Sequence, residues 1–591
     1  MTQENSPLAE TKGSVRQLMD TALGREPADL VVTDARILNV FTGELLEGQG
    51  LCVKAGKIAY VGEEAAETAG ANTRIINADG MTVIPGFIDG HTHIDHTFLP
   101  QEFLKYVISS GTTALVTEVF EPCFAAGLEG VLEYLQAIRD QPIKIFAAAP
   151  AMVSISDLSA GIEAKDLETI LAQPEIICMG ESYWQGVLQN PDRYLPALEA
   201  TRSSGKTLEG HTAGAGERKL AAYLATGISS CHEPITAQEA LSRLRQGLCV
   251  MIREGEVRRD LEAISEIRQK GVDLRRAALV TDGVTPEMLM ESGYMEAIVQ
   301  KAVDLGFDPV EAVRMATLNV AEHFGLDDRM GAVAPGREAD FSLIPDLGRI
   351  RPECVVCRGR VIAQNGKPLV APRSHIFSEA SKSTICLSRQ MEASDFTVSA
   401  PDSRSSVRLR TMGMSTDLVT RERIMELPVS QGIIKADPGD DLAKVAAVNY
   451  SQVPGKCFTG FLQGFGIRSG ALASSGAWDT SDIVTVGVSE ADMAVAVNRI
   501  SEMGGGFVAV RECGVTAEMS LPIFGVITEL PMEEIVEKSR ELKSAAQDLG
   551  IGLPDPLLSL VTLTGAAIPF LRICEQGLVD LKSGERLDLF V

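Results

Sequence analysis

Residues 84–97 read IPGFIDGHTHIDHT, an apolar run that ends in Gly-Phe-Ile-Asp and then meets His91 and His93. On an extended strand, residues i and i+2 point to the same face. The two imidazoles can therefore hold one metal ion between them. His-x-His alone is a weak signal, because surface histidines fall at that spacing by chance. Its place at a strand end sets a test: if the strand belongs to a barrel, metal-binding side chains should end other strands too.

Outward from this stretch, residues 81–326 alternate apolar runs with helical segments. Eight runs are countable: TVIPGFIDGHTHI, TTALVTEV, KIFAAAPAMV, EIICMGES, TLEGHT, ISSCHEP, LCVMIREG and RAALVTDG. The pieces between them, such as EGVLEYLQAIRD and LEAISEIRQKG, have helical periodicity. Eight βα units in about 250 residues is the size of a (β/α)8 barrel, whose chemistry sits at the C-terminal ends of its strands. Glu181 ends the fourth run, His211 the fifth, His232 the sixth and Asp282 the eighth. With His91 and His93 they make a nitrogen and oxygen donor set for two divalent cations, a carboxylate between the ions offsetting their repulsion. Zn, Fe or Mn all suit such donors, and softness alone does not choose among them.

Each residue also has a plainer reading. His211 could be a satisfied loop histidine, Glu181 a salt-bridge partner, and Asp282 a turn former in TDGVTP. Six such residues at the right strand ends outweigh those readings. His96 reads as lining the mouth beyond the first strand, with Asp95 beside it outside the ligand set. His323, in NVAEHFGL, reads as a helix residue.

Short β-rich runs with turn residues precede the barrel (DLVVTDARILNV, GLCVKAGKIAYVG, TRIINADGMTVIPG) and return after it (READFSLIPD, PECVVCRGRVIAQNGKPL). The expected fold is α/β: a metal-dependent (β/α)8 barrel inserted in a small β-sandwich, plus a C-terminal α+β domain. The expected boundaries are an N-terminal helical arm at 1–28, the sandwich at 29–85 and 331–374, and the barrel with its metal site at 86–330. A Ser-rich linker at 375–405 then leads to the C-terminal domain at 406–591. Cys354 and Cys357 read as structural, since no second Cys or His pair lies nearby. Gly504 to Gly506 follow a helix and lack the Gly-Lys-Ser/Thr ending of a phosphate loop, so they read as a helix C-cap and turn.

Composition narrows the function classes. The chain has 591 residues, 54 Lys and Arg against 80 Asp and Glu, and a net charge of −26. That charge argues against nucleic acid and anionic membrane surfaces, both of which need clustered cations. The length predicts two to four domains. The N-terminus lacks a basic region followed by an apolar core, so no signal peptide is expected, and no apolar run reaches membrane-spanning length. The eleven scattered cysteines fit reduced thiols in a cytoplasmic protein.

The G-F-I-D-x-H-x-H entry, the single histidines after strands five and six, the Asp after strand eight and the late GREADF stretch together resemble the amidohydrolase superfamily. More narrowly, Met-Gly-Glu-Ser at Glu181, Glu-Gly-His-Thr at His211 and Ser-Ser-Cys-His-Glu at His232 are similar to the strand-end motifs of the bacterial adenine deaminases. ADMAVAVNRISEMGGGFVAV and IPFLRICEQGLVD resemble that family's C-terminal domain. Three stretches depart from the pattern, one being Gly283 and Val284 after Asp282, where the family often continues with polar residues. Glu118-Val119-Phe120-Glu121 stands where the family tends to have Asp-Pro-His-Glu, and Trp478-Asp479-Thr480-Ser481 where it has His-Asp-Ser-His.

The resemblance implies hydrolysis of adenine to hypoxanthine and ammonia by metal-activated water, in purine salvage. It implies two divalent ions, Mn or Fe ahead of Zn, bound by His91, His93, Glu181, His211, His232 and Asp282. Glu181 would bridge the ions, Asp282 would carry the proton, and Glu121 would protonate a ring nitrogen. The partner is a small purine, and an assembly of identical subunits is expected. The alternatives are an amidohydrolase for another purine-like ring or cyclic amide, and a catalytically silent metal-binding protein.

Overall fold

A computed structural model describes residues 14–151, 154–159 and 162–591. The first thirteen residues of the expected helical arm lie outside that range. Helix Ser14–Ala22 follows them and sets Leu18 and Ala22 against Val31, Cys52 and Ala59.

One nine-stranded sheet is built from both sides of the barrel. Strand Thr82–Pro85 joins the halves by pairing antiparallel with Phe341–Ile344, Ile84 opposite Ser342. Side chains alternate across a strand with period two, and Leu30, Val32, Leu51, Val53, Phe341, Leu343, Cys354 and Val356 accordingly share one core. Cys354 and Cys357 are buried free thiols on one of these strands.

The chain then turns at Gly86 into the first of eight parallel strands, numbered here β1 (Phe87–Thr92), β2 (Thr112–Thr117), β3 (Lys144–Pro150), β4 (Ile176–Tyr183), β5 (Thr207–His211), β6 (Ser230–Cys231), β7 (Cys249–Arg253) and β8 (Ala277–Val280). They coincide with the eight runs picked out in the sequence. β1 to β5 form one continuous parallel sheet and β6 to β8 another. Two backbone hydrogen bonds close the gaps: Asp282 N donates to His91 O at 3.0 Å, and Ser229 N to Leu208 O at 2.9 Å. Parallel strands covered on both faces read as unbroken apolar runs, which is why these strands were legible.

Lys144, at the start of β3, ties the barrel to the nine-stranded sheet. Its buried ammonium lies 2.6 Å from Asp340 Oδ2 and 3.1 Å from Glu338 Oε2. Removing the cation strands a buried carboxylate, which costs about 3–5 kcal/mol. Lys144→Met is therefore expected to lower the urea unfolding midpoint markedly; an unchanged midpoint would contradict this role.

The C-terminal region holds an eight-stranded, mainly antiparallel sheet, helices Glu490–Met503 and Met532–Asp548, and a small three-stranded sheet ending at Glu585–Leu587. Gly504 caps helix Glu490–Met503 with φ of 75°, the left-handed turn that favours glycine. The Ser-rich stretch at 375–405 is packed, with Phe377, Ile385, Met391 and Phe396 buried. The region docks on the barrel just past the His-x-His stretch: Thr97 N donates to Val526 O at 2.7 Å and Thr528 N to Thr97 O at 3.2 Å. Among the described residues, no helix is long and apolar enough to cross a membrane.

Candidate metal centre

All six residues picked out at strand ends converge at one end of the barrel. Glu181 Oε1 is the hub. It lies 3.3 Å from His91 Nε2, 3.4 Å from His93 Nε2, 3.4 Å from His211 Nε2 and 3.7 Å from His232 Nε2. Asp282 Oδ1 completes the cluster, 3.2 Å from His91 Nε2 and 3.5 Å from His93 Nε2. His91, Glu181, His232 and Asp282 present donor atoms all within 4.8 Å of one another.

Local backbone features aim these side chains inward. Glu181 and Asp282 have φ of 45° and 54°, left-handed values rare for side-chain-bearing residues. Such strain concentrates at functional sites. At Glu181 the pairing of β4 with β5 slips between Leu208 and Gly210, so the strand bulges there. At Gly180 beside it, a Cβ would lie 2.0 Å from Glu118 Oε2 and would displace that carboxylate.

The far sides of the imidazoles are also held. His211 Nδ1 lies 2.9 Å from Glu233 Oε1, His91 Nδ1 3.6 Å from Glu118 Oε1, and His93 Nδ1 3.8 Å from Asp95 Oδ1. Carboxylates behind metal-bound histidines fix ring orientation and raise basicity in just this way. Asp282 Oδ2 is gripped by Arg253 Nη1 at 3.1 Å, and Arg253 is itself anchored 3.0 Å from Asp260 Oδ2. Glu118, Glu233 and Arg253 were not singled out in the sequence, although each sits at the end of, or just after, a barrel strand.

Charge in this space is lopsided. Burial disfavours protonated His91, His93 and His211, yet Asp282, Glu181 and Glu233 outweigh it and hold all three above the ordinary histidine value. Burial and the charge of His91 keep His232 well below it, neutral and ready to donate a lone pair. Burial also pushes Glu181 and Asp282 upward, but the imidazoles, and Arg253 at Asp282, hold both well below the usual carboxylate range. In this cluster protonated imidazoles balance the buried acids, and bound cations would take the place of those protons.

The donors fit a divalent ion on a second ground. His211 Nε2, buried and facing the cluster, has no well-aligned hydrogen bond, and ligand atoms about 2 Å from a shared ion stand roughly 3 Å apart, the spacing seen around Glu181.

A cavity of about 100 Å³ opens onto the cluster. Its wall includes Phe120 and Glu121 from the loop and helix after β2, and Trp478, Asp479 and Ile568 from the C-terminal region. Burial drives Glu121 well above the carboxylate range, and Asp95 and Asp479 add to the push. His96 lines the same cavity, and burial lowers it to about 4. His323 is away from the site, paired with Glu209 at 2.9 Å.

Residues 82–362 match the model of the Amidohydrolase family, so barrel and centre define a hydrolase of that class. Residues 417–585 match the Adenine deaminase C-terminal domain. An adenine deaminase of Moorella thermoacetica is 36% identical over 592 residues, covering 99% of this chain and 98% of its own. One from a Ruegeria species is 35% identical across 97% of this chain and 96% of its own, and one from Clostridium botulinum is 32% identical across 98% and 97%. The chain belongs to the adenine deaminase family.

Proposed function

We propose that this protein hydrolyses adenine to hypoxanthine and ammonia on a centre of two divalent ions held by His91, His93, Glu181, His211, His232 and Asp282. The observation that carries the reading is the convergence of four imidazole nitrogens on one oxygen of Glu181, in a chain similar over its length to adenine deaminases. Zinc, iron and manganese all suit the mixed imidazole and carboxylate donors, and the likeness to adenine deaminases puts manganese or iron ahead of zinc. The eleven free cysteines support a cytoplasmic setting. A homo-oligomeric assembly is part of the same reading.

When bound, the ions lower the pKa of water from 15.7 to about 7. Glu181, central to the imidazoles, would be the carboxylate shared by the two ions. Asp282 faces the cluster with Oδ1 while Arg253 holds Oδ2, so it accepts a proton from the attacking water without swinging away. As oxygen adds to C6, Glu121 gives its proton to the neighbouring ring nitrogen; burial raises its pKa and favours the protonated acid. Asp282 then passes its proton to the departing amine, the C6–N bond breaks, and the proton left on the new C6 oxygen returns to Glu121, so that hypoxanthine keeps the ring N–H beside its carbonyl.

Metal-loaded protein is expected to release ammonia and hypoxanthine from adenine in equal amounts, and to leave guanine, hydantoin and dihydropyrimidine untouched. Turnover of one of those three in place of adenine would replace this reading with a cyclic-amide or other purine hydrolase.

A further inference from the structure

The barrel does not complete the cavity by itself. Asp479, from the C-terminal domain, reaches into its wall and is only 8% exposed. Its backbone sits at φ of 61°, a left-handed value that a non-glycine residue holds only where its surroundings enforce it. Two elements fix the carboxylate. Ala566 N donates to Oδ2 at 2.7 Å, and Tyr183 Oη donates across 3.4 Å to either oxygen. Tyr183 ends β4, two residues past Glu181. The loop carrying Ala566 is pinned in turn by buried Arg572, whose guanidinium donates to Ile568 O at 2.6 Å and Leu418 O at 3.0 Å.

A carboxylate offers about four acceptor positions. Here one is well used and the Tyr183 contact is long, so acceptor capacity remains on the cavity side. The protonated acid also keeps an acceptor oxygen. The metal cluster and Glu121, which the proposed reaction assigns to C6 and its neighbouring ring nitrogen, line the same cavity. The free base has one ring N–H, on its five-membered ring.

We propose that Asp479 is the specificity-determining residue of the site, its carboxylate accepting the N–H of the purine's five-membered ring and so holding the edge remote from the metal centre. The proposal rests on adenine being the substrate. A base methylated at N9 has no ring N–H to give and places a substituent against Asp479. Buried sites built around such a hydrogen bond reject analogues that lack it by orders of magnitude.

The test uses the full-length, metal-loaded protein. Asp479→Asn keeps an oxygen for Ala566 N–H, and is expected to raise KM for adenine at least tenfold with kcat within threefold. Its preference for adenine over 9-methyladenine, as a ratio of kcat/KM, should fall at least tenfold. A purely structural role would not move that ratio. Independently of any variant, calorimetry on the parent protein should show adenine binding at least a hundredfold more tightly than 9-methyladenine. Unchanged KM and preference in Asp479→Asn, or equal affinities in the parent, would overturn the assignment. Failure of the parent to deaminate adenine while still binding it with that selectivity would instead overturn the proposed reaction and leave the role of Asp479 standing.

Discussion

Asp282→Asn protein, loaded with as much metal as the parent, is expected to lose about a thousandfold in kcat for adenine, within the range general acid–base catalysis supplies. The two oxygens of Asp282 have separate partners. Oδ1 lies 3.2 and 3.5 Å from the Nε2 atoms of His91 and His93, and Oδ2 lies 3.1 Å from Arg253 Nη1. Asparagine keeps the shape but supplies only one acceptor oxygen. If that oxygen faces the cluster, an amide N–H points at the Arg253 guanidinium, donor against donor. If it faces Arg253, the amide N–H points at the cluster. Either way no group remains to take the proton from water. Steady-state kinetics beside metal analysis reads the effect, and full turnover with metal retained would remove Asp282 from the proton path.

Glu181→Gln is expected to cost more, because it takes the centre apart. Glu181 Oε1 is the point around which four imidazole nitrogens gather, and the side chain is buried. The amide removes the negative charge that offsets two cations at close range, and half of it is a donor that no cation accepts. Metal content should fall below one ion per chain after dialysis, and adenine turnover by more than a thousandfold. Far-ultraviolet circular dichroism should be unchanged, since the barrel strands pack through their apolar runs. Retention of two tightly held ions would contradict the bridging role.

Much of this site was legible in the sequence because a parallel barrel writes its strands as apolar runs and places its chemistry where each run stops. His91, His93, Glu181, His211, His232 and Asp282 all obey that rule. Glu118 obeys it too, immediately after β2, but in Glu118-Val119-Phe120-Glu121 nothing local says which acid backs an imidazole and which faces substrate. Glu233 and Arg253 are ordinary charged residues until the fold sets them against His211 and Asp282. Asp479 was noted only as part of a departure from the family pattern, since the pairing that matters spans 296 positions to Tyr183. At 375–405 a polar composition concealed five buried apolar side chains, Phe377, Ile385, Met391, Phe396 and Val398, that are enough to pin the stretch down.

The central claim is that two metal ions at the Glu181 cluster make adenine hydrolysis happen. Protein stripped of metal by a chelator and titrated with manganese or iron, with ammonia release from adenine followed at each step, measures it directly. The prediction is negligible turnover at the start and a rise that saturates at two equivalents per chain. Turnover by the stripped protein equal to that of the loaded protein would contradict it.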